Sequence, residues 1–354
     1  MGLLESSGYM RDYFLRRLLL IPPTVLGVTL IVFVITRFVP GGPLERAIME
    51  AQMASAGQGA QMSGGGGSTM GEGPGLSDAQ MQELKEYYGF DKPAIIAYFN
   101  WLGKLVQGDL GTSTRYQDSV WGQIKSRFPI SLFYGVTTMV ITYIVCIPLG
   151  MVKAIKHSTP IDTYSSILVF FGYSIPGYAL GSLLLLFFSA RLGWFPMGGF
   201  KSIYFQDLTF LEKVGDIASH SVLPLICYLV GSFAVTTLLM KNHLMDNMAA
   251  DYMRMAISKG LSYKESVFKH ALRNSMIPIA TTFGQNITLI LTGSFLIETI
   301  FDIDGLGLLG INAVFDRDYP VVMGIVFLSS LLLLLGNVIS DALVAIVDPR
   351  IRFK

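Results

Sequence analysis

Six long apolar stretches most constrain how this chain can fold. They cover residues 18–38, 131–152, 164–190, 221–240, 279–298 and 321–347. A helix crosses the roughly 30 Å hydrocarbon core of a bilayer with about 20 residues, so each stretch is long enough to span a membrane. Only 14% of the 354 residues are charged, well below the roughly 25% of an ordinary soluble domain. The sequence therefore predicts an all-α membrane protein with six transmembrane helices.

Lysine and arginine residues between these stretches predict the orientation of the chain. Three lie before the first stretch, two after the second, six after the fourth and three after the last, against three after the third stretch and one after the fifth. Short cytoplasmic loops are enriched in Lys and Arg. We therefore expect both termini (1–17 and 348–354) and residues 241–278 in the cytoplasm, and residues 39–130 outside. The first apolar run is too long for a signal peptide and no small-residue cleavage site follows, so we expect a retained anchor.

The external segment 39–130 is expected to have two parts. Residues 50–75 contain no aromatic residue and include four consecutive glycines, a composition typical of a flexible linker. Ser77 or Asp78 can then cap a helix that ends near residue 88, and residues 93–106 form a second amphipathic stretch before a turn at 108–111. Residues 76–130 are therefore predicted to form a small helical cap, which precedes the core membrane region 131–347.

Proline interrupts the third apolar stretch. Pro176 and Gly177 divide it into unequal halves, and proline removes one helical hydrogen bond and favours a kink. In membranes such breaks are tolerated where protein or a water-filled cavity satisfies the backbone. Two interpretations stay open, namely bent helices around a pathway and ordinary packing kinks.

The charged segment 251–278 begins with a helix that stops at a glycine. Asp246 or Asn247 can cap a helix over about 249–259. Gly260 follows at the position where a helix end commonly takes the left-handed conformation, which glycine adopts without penalty. The pattern predicts a short helix on the cytoplasmic side that ends at Gly260.

A second helix is predicted immediately after that glycine. Ser262 and Glu265 have the spacing of a capping box, and Pro278 is suited to the first turn of the next membrane helix. The lysines alone would also fit a basic helix resting on anionic lipid. The glycine hinge, the capping box and the apolar residues on both helices favour docking of a cytoplasmic protein.

Four segments then resemble one known family. The first has Lys259, Gly260, Leu261, Ser262, His270, Ala271, Leu272, Arg273, Asn274, Ile277 and Pro278. The others run from Arg16 to Pro43, from Gly108 to Ser113 and from Gly305 to Arg350. In this order they resemble the B-type permease subunits of ABC importers for dipeptides and oligopeptides, with 251–278 as the coupling loop. The glycine-rich insertion and residues 304–310 resemble the Yej-type peptide permeases of that family.

The resemblance implies a non-catalytic subunit of an ATP-driven oligopeptide importer in the bacterial inner membrane. Its implied partners are a second related permease, which completes the pathway as a heterodimer, two cytoplasmic ATP-binding subunits and an external, periplasmic peptide-binding protein. No G-x-x-x-x-G-K-[ST] motif occurs in the chain, so ATP would be hydrolysed by the separate subunits. No cofactor is implied.

The coupling residues are carried over from the resemblance. They are Arg254, Ala256, Lys259, Gly260, Leu261, Ser262, Phe268, His270, Arg273 and Asn274. The chain departs from the family at two points. Ile257 and Ser258 stand where the family usually has an arginine and an alanine, and 254–256 replaces the Glu-Ala-Ala triplet. The expectation therefore depends on the helix–glycine–helix shape rather than on one charged side chain.

A polar stripe along the fifth apolar stretch is the candidate translocation pathway. Its residues are Thr281, Gln285, Asn286, Thr288 and Thr292, with Glu298 at the end. Offsets of three and four place the threonines and Gln285 on one helical face, and a polar face in a membrane points away from lipid. The alternative is interhelical packing, which we favour for the threonines. Glu298 could bind a peptide amine or cap an interface.

Several function classes find no support in the sequence. The four histidines have no metal-ligand spacing, and Cys146 and Cys227 lie inside apolar runs where inert buried thiols are expected. A net charge of +1 gives no nucleic-acid signal. A stand-alone channel or an ion-coupled carrier for small polar solutes is the alternative to the importer, but neither gating charges nor a repeated half is visible.

Overall fold

The computed structural model describes residues 2–38, 45, 48–49, 82, 91–292 and 294–347. Within these ranges every extended regular element is helical, with one isolated antiparallel bridge between Thr112 and Ser119. The helices are α1 Gly2–Phe38, α2 Ala94–Val106, α3 Val120–Ile155, α4 Pro160–Ser174, α5 Gly177–Leu184, α6 Phe210–Ala249, α7 Asp251–Ser258, α8 Tyr263–Ser266, α9 Leu272–Thr292, α10 Phe295–Ile300, α11 Leu306–Phe315 and α12 Tyr319–Val347. The all-helical prediction is thereby confirmed for the described residues.

Within the described part of the chain, four helices are long and apolar enough to cross a membrane by length and composition. They are Asp12–Phe38 within α1, then α3, α6 and α12. A fifth crossing is obtained if α4 and the helix Gly177–Arg191 count as one span, although the two halves are bent by 89°. The break predicted at Pro176 and Gly177 is therefore confirmed.

The stretch 279–298 is not one helix, contrary to expectation. Helix α9 ends at Thr292, and α10 starts anew at Phe295. Ser294 has an extended backbone, and its side chain accepts a hydrogen bond from the Ile297 N–H, so it caps α10. The residue that ends the expected span, Glu298, therefore lies in a separate short helix.

The chain forms two compact units. One consists of residues 1–23, 125–311 and 328–354. It contains two buried apolar clusters, one around Met240, Leu244 and Met253 and the other around Tyr134, Cys227 and Phe301. In the same unit α9 and α12 cross closely, because a methyl group at Gly284 would lie only 2.5 Å from the carbonyl oxygen of Gly336.

The other unit consists of residues 24–124 and 312–327. Helix α2 matches the predicted stretch 93–106, and its buried Tyr98 hydroxyl lies 2.9 Å from the hydroxyl of Thr29 in α1. The predicted turn at 108–111 is confirmed by positive φ values at Gly108 and Gly111. The expected linker 50–75 and the expected helix ending near residue 88 lie outside the described residues.

Candidate functional site

The first helix of the charged segment starts later than predicted. Helix α6 runs through Asp246 and Asn247 to Ala249, and the extended residue Ala250 separates it from α7. The cap prediction for Asp246 or Asn247 is therefore wrong. Asn247 Nδ2 instead donates to the His243 carbonyl (2.7 Å) and to Ser275 Oγ (3.2 Å), so tertiary hydrogen bonds use the side chain that a cap would need.

The glycine hinge and the capping box are confirmed. Gly260 has a φ of +93°, and its N–H donates to the Ile257 carbonyl at the end of α7. The Ser262 side chain accepts the Glu265 N–H, and the Glu265 carboxylate accepts both the backbone N–H and the hydroxyl of Ser262. Hydrogen bonds from the Ser262 hydroxyl and N–H lower the pKa of Glu265. The end of α7 at Gly260 and the start of α8 at Ser262 are therefore both determined by residues close by in the sequence.

The second helix is longer than predicted. Residues from Tyr263 to Thr292 are continuously helical, through a π-helical segment Val267–Ala271 into α9. Pro278 lies inside α9 instead of in the first turn of a new helix. Contacts before the proline hold this helix in place, since Ser275 Oγ bonds the Ala271 and His243 carbonyls. Tertiary contacts thus override the local preference of proline for a helix start.

One side of this segment is buried in the chain's own core. Met253, Val267 and Ala271 pack with Met240, Leu244 and Ala154 at the ends of α6 and α3. Because these side chains are at most 3% exposed, α7 and the start of the second helix are joined to the ends of two membrane-span candidates. We call residues 251–271, from the start of α7 to the end of the π-helical segment, the docking block. Its packed core includes the side chains that α3 and α6 contribute.

The other side of the docking block is an exposed apolar strip. Met255, Ile257, Tyr263 and Phe268 have 43–54% of their surface exposed. Lys259, Lys264 and Lys269 are exposed around them. Several large apolar side chains exposed among charged residues on two consecutive short helices favour a protein–protein interaction site.

The ten carried-over coupling residues differ in their exposure. Seven are exposed, two are half-buried (Leu261 and Asn274), and Ala256 is buried at 7%. The seven are Arg254, Lys259, Gly260, Ser262, Phe268, His270 and Arg273. Arg273 Nε also donates to the carbonyl of Val347 (2.7 Å), so this side chain binds the last residue of α12.

The polar stripe on α9 is used at least partly for packing. Asn286 Nδ2 donates to the Tyr143 hydroxyl of α3 (2.8 Å). The Thr281 hydroxyl donates to the carbonyl of Ile277 in its own helix. Ser340 of α12 donates to the Ala280 and Thr281 carbonyls. The side chains of Gln285, Thr288 and Thr292 lie outside the described set.

Glu298 is buried, with 2% of its surface exposed. Its Oε2 accepts the Leu308 N–H (2.6 Å) in the first turn of α11, and the Tyr228 hydroxyl lies 3.5 Å from its Oε1. Of the two sequence interpretations, this geometry favours a capping role over a carboxylate that faces a pathway.

The structure brings together two sequence motifs that were treated separately. Asp318 is 1% exposed, and its carboxylate accepts the Ser113 hydroxyl and the N–H groups of Thr114 (3.1 Å) and Arg115 (3.4 Å). Arg115 also pairs with Asp316. The run from Gly108 to Ser113 is thereby anchored to the start of α12, which explains physically why both patterns occur in one chain.

Sequence reasoning missed a third buried carboxylate among the described residues, Asp162. It lies between Lys153 and Lys241, whose charges had been counted only as orientation signals. The available signal was weak: an acidic residue in the first turn of a helix that starts at Pro160 is common at any helix N-terminus. Among the described residues, no group of three His, Cys, Asp or Glu side chains could hold a metal, and both cysteines are free and buried.

Comparisons with known proteins find one family and several relatives. Residues 146–353 match the family described as "Binding-protein-dependent transport system inner membrane component". The chain is 36% identical to the "Peptidoglycan transport system permease protein YejB" of Agrobacterium fabrum, over 98% of this chain and 99% of the relative. It is 36% identical to an "Inner membrane ABC transporter permease protein YejB" of Escherichia coli O157:H7 (98% and 100%). It is 33% identical to the "Oligopeptide transport system permease protein AppB" of Bacillus subtilis (97% and 100%).

Proposed function

The chain belongs to the family of binding-protein-dependent transport system inner membrane components, and on that premise we propose that it is the transmembrane permease subunit of an ATP-driven oligopeptide importer. The relatives support a peptide cargo, since one is named an oligopeptide transport permease and another a dipeptide transport permease. The chain itself would be non-catalytic. Peptide binding and ATP hydrolysis would reside in partner proteins.

The assembly we propose has four kinds of component beside the lipid bilayer. This chain and a second, related permease each form half of the translocation pathway. Two cytoplasmic ATP-binding subunits drive it, and an external peptide-binding protein delivers the cargo. Both termini and the docking block would face the cytoplasm, and α9 would supply the sixth membrane crossing.

Helix α6 supports this topology through its length. At about 1.5 Å per residue its 40 residues extend about 60 Å, roughly twice the hydrocarbon thickness of a bilayer. The apolar stretch 221–240 fits the membrane, so the last turns of α6 project beyond it. Those turns carry Leu244 and Met248, which pack in the docking block.

The observation that carries the proposal is the exposed strip on the docking block. Its apolar side chains would face water if the chain acted alone, whereas closure of an ATPase subunit over them would bury them. The opposite side of the same block is packed against α3 and α6. A close-packed interior is hard to compress, so a push on the strip would move the ends of these helices.

Capture of the ATP-binding subunits tests this role. The chain is co-expressed with the two ATPases and the second permease, extracted in mild detergent and purified by its own tag. Phe268→Glu should lower capture about 30-fold, since truncation of an interface hot spot typically costs at least about 2 kcal/mol. Phe210→Glu is the matched control, because Phe210 is 79% exposed and lies at the opposite end of α6. Equal capture by both variants would contradict the assigned surface.

We also propose a role for the polar residues of α9 and for Glu298 in the translocation pathway. Thr281, Gln285, Asn286, Thr288 and Thr292 would line or support the wall of the pathway, with Glu298 holding its end. Uptake of radiolabelled oligopeptides into proteoliposomes with the full complex tests the cargo. Transport by the lone chain without ATP would instead support the channel or carrier alternative.

A further inference from the structure

Asp162 joins three helices through one buried carboxylate. Lys241 Nζ of α6 donates to both of its oxygens at 2.8 Å, and Lys153 Nζ of α3 lies 3.1 Å from Oδ1. The carboxylate itself belongs to the first turn of α4. His157 Nδ1 lies 3.2 Å from Oδ2, and the Ser158 N–H donates to the same oxygen at 3.3 Å.

The surroundings of Lys153 show a built site. Lys153 is fully buried, and its ammonium also donates to the Asp162 carbonyl (2.9 Å) and to the hydroxyls of Ser165 (2.9 Å) and Ser166 (2.7 Å). The Lys241 side chain is 12% exposed. We call Lys153, Asp162 and Lys241 the lysine–aspartate cluster.

Stability is a poor explanation for such a cluster. Removing charges from water is costly, and replacing a buried ion pair with apolar residues of similar size is often neutral or stabilising. Two ammonium groups around one carboxylate add an excess positive charge to that cost. What charged groups do supply is geometry, since each hydrogen bond fixes direction as well as distance.

The position of the cluster suggests what that geometry serves. Lys153 and Lys241 are adjacent in sequence to Ala154 and Met240, which belong to the packed core of the docking block. Helix α4, by contrast, has a largely exposed apolar surface, including Tyr164, Leu168 and Phe171 at 67–73% exposure. Its other end stops at the 89° break before Gly177. Helix α4 also packs against α6. The cluster is therefore the polar part of the connection between the docking block and the first half of a broken helix pair.

We propose that Asp162 is a positioning residue for energy coupling: through Lys153 and Lys241 it makes α4 follow the docking block when the ATP-binding subunits move that block. This inference rests on the proposed function. Without the cluster, α4 keeps its fold and its packing on α6, but charged hydrogen bonds no longer fix its position, and ATP hydrolysis drives the broken helix pair less effectively. The break before Gly177 is then where the two halves change their relative angle.

The test uses the complete importer in proteoliposomes and measures peptide uptake per ATP hydrolysed. The triple variant Lys153→Met, Asp162→Leu, Lys241→Met replaces the whole cluster with apolar side chains, so folding and assembly are retained. Uptake per ATP should fall about tenfold, within the usual range of coupling between distant sites. Lys156→Met is the matched control, because it removes an exposed cation from the same loop and should leave the ratio unchanged.

A distance measurement separates positioning from mere stability. Spin labels at Leu168→Cys and Asp246→Cys report on α4 and α6, both at exposed positions, while the native cysteines are buried. The label-to-label distance should stay constant between nucleotide-free and ATP-bound states in the unaltered cluster. In the triple variant its distribution should broaden on ATP binding.

The possible outcomes separate failure of this inference from failure of the proposed function. A triple variant with uptake per ATP within twofold of the parent, or with an unchanged distance distribution, overturns the inference. If that variant does not assemble, Asp162→Glu, which keeps the charge but moves the carboxylate by one methylene, should still lower the ratio, and a ratio equal to that of Lys156→Met overturns the inference. A parent complex that assembles but does not import peptide refutes the proposed function instead.

Discussion

Substituting Gly260 should change coupling through the backbone alone. Its φ of +93° is a backbone conformation that residues with a side chain rarely adopt, yet a Cβ atom built there would meet no atom within 4 Å. The expected penalty for alanine is therefore conformational strain of about 1–2 kcal/mol. Since about 1.4 kcal/mol is tenfold in an equilibrium constant, Gly260→Ala should reduce the population of the native hinge about 5- to 30-fold relative to distorted alternatives.

The size of the loss in coupling should depend on how well the residue at position 260 tolerates a positive φ. Asparagine tolerates the left-handed region better than other non-glycine residues, and β-branched residues tolerate it worst. We therefore expect peptide uptake per ATP to decrease in the order Gly, Asn, Ala, Val at position 260. The assay is peptide uptake and ATP hydrolysis by the purified complex, each normalised to the amount of folded permease.

Gly215→Ala is the control for this series. Gly215 lies inside α6 with open space around it and no positive φ, so alanine should be tolerated there. All Gly260 variants should extract as folded protein, because the strain is confined to an exposed hinge. The reasoning is refuted if Val at position 260 couples as well as Gly, or if Asn is no better than Ala.

Two further substitutions test the packing of each unit. Gly284→Ala should destabilise the crossing of α9 and α12 by about 1–3 kcal/mol, since the facing atoms of Gly336 are backbone and cannot rotate away. Gly231→Ala is the control, because nothing lies within 4 Å of a Cβ atom at that position. Equal thermal unfolding midpoints of the two variants would contradict this expectation. Asp318→Asn should cost about 2–3 kcal/mol, because the buried group loses its charge and one of its two accepting oxygens becomes an NH2 donor that faces a hydroxyl or N–H group. Hydrogen exchange in residues 108–119 should accelerate in that variant and stay unchanged in Asp207→Asn, which alters an exposed carboxylate.

Local signals in the sequence were sufficient for the hinge of the charged segment. Gly260 and the Ser262–Glu265 box act within four residues, so their geometry depends little on the rest of the fold. The predictions around Asn247 and Pro278 were wrong for the opposite reason. There the local preference competes with bonds to Ser275 and Tyr252, and tertiary contacts decide the result.

Contacts between distant residues could not be read from the sequence. Ser113 and Asp318 are 205 positions apart, and nothing in either motif shows that one carboxylate joins them. Asp162 and Lys241 are 79 positions apart, and charge counting placed lysines in loops without pairing them. Hydropathy identified the long apolar helices well, but it could not detect the break at Ser294, because a single N-cap residue barely changes the average over a window.

Burial divides the docking block into two sides with different expected roles. Met253, Val267 and Ala271 are at most 1% exposed, so changes there act first on stability through lost packing. Tyr263 and Phe268 are about half exposed, so changes there should leave the fold intact and, on the proposed function, weaken binding of the ATPase subunit. Because the two sets belong to the same short helices, a force on one side reaches the other without an intervening flexible element. The departure from the Glu-Ala-Ala triplet is tolerable on this view, since rigidity of the block rather than one charge would transmit the motion.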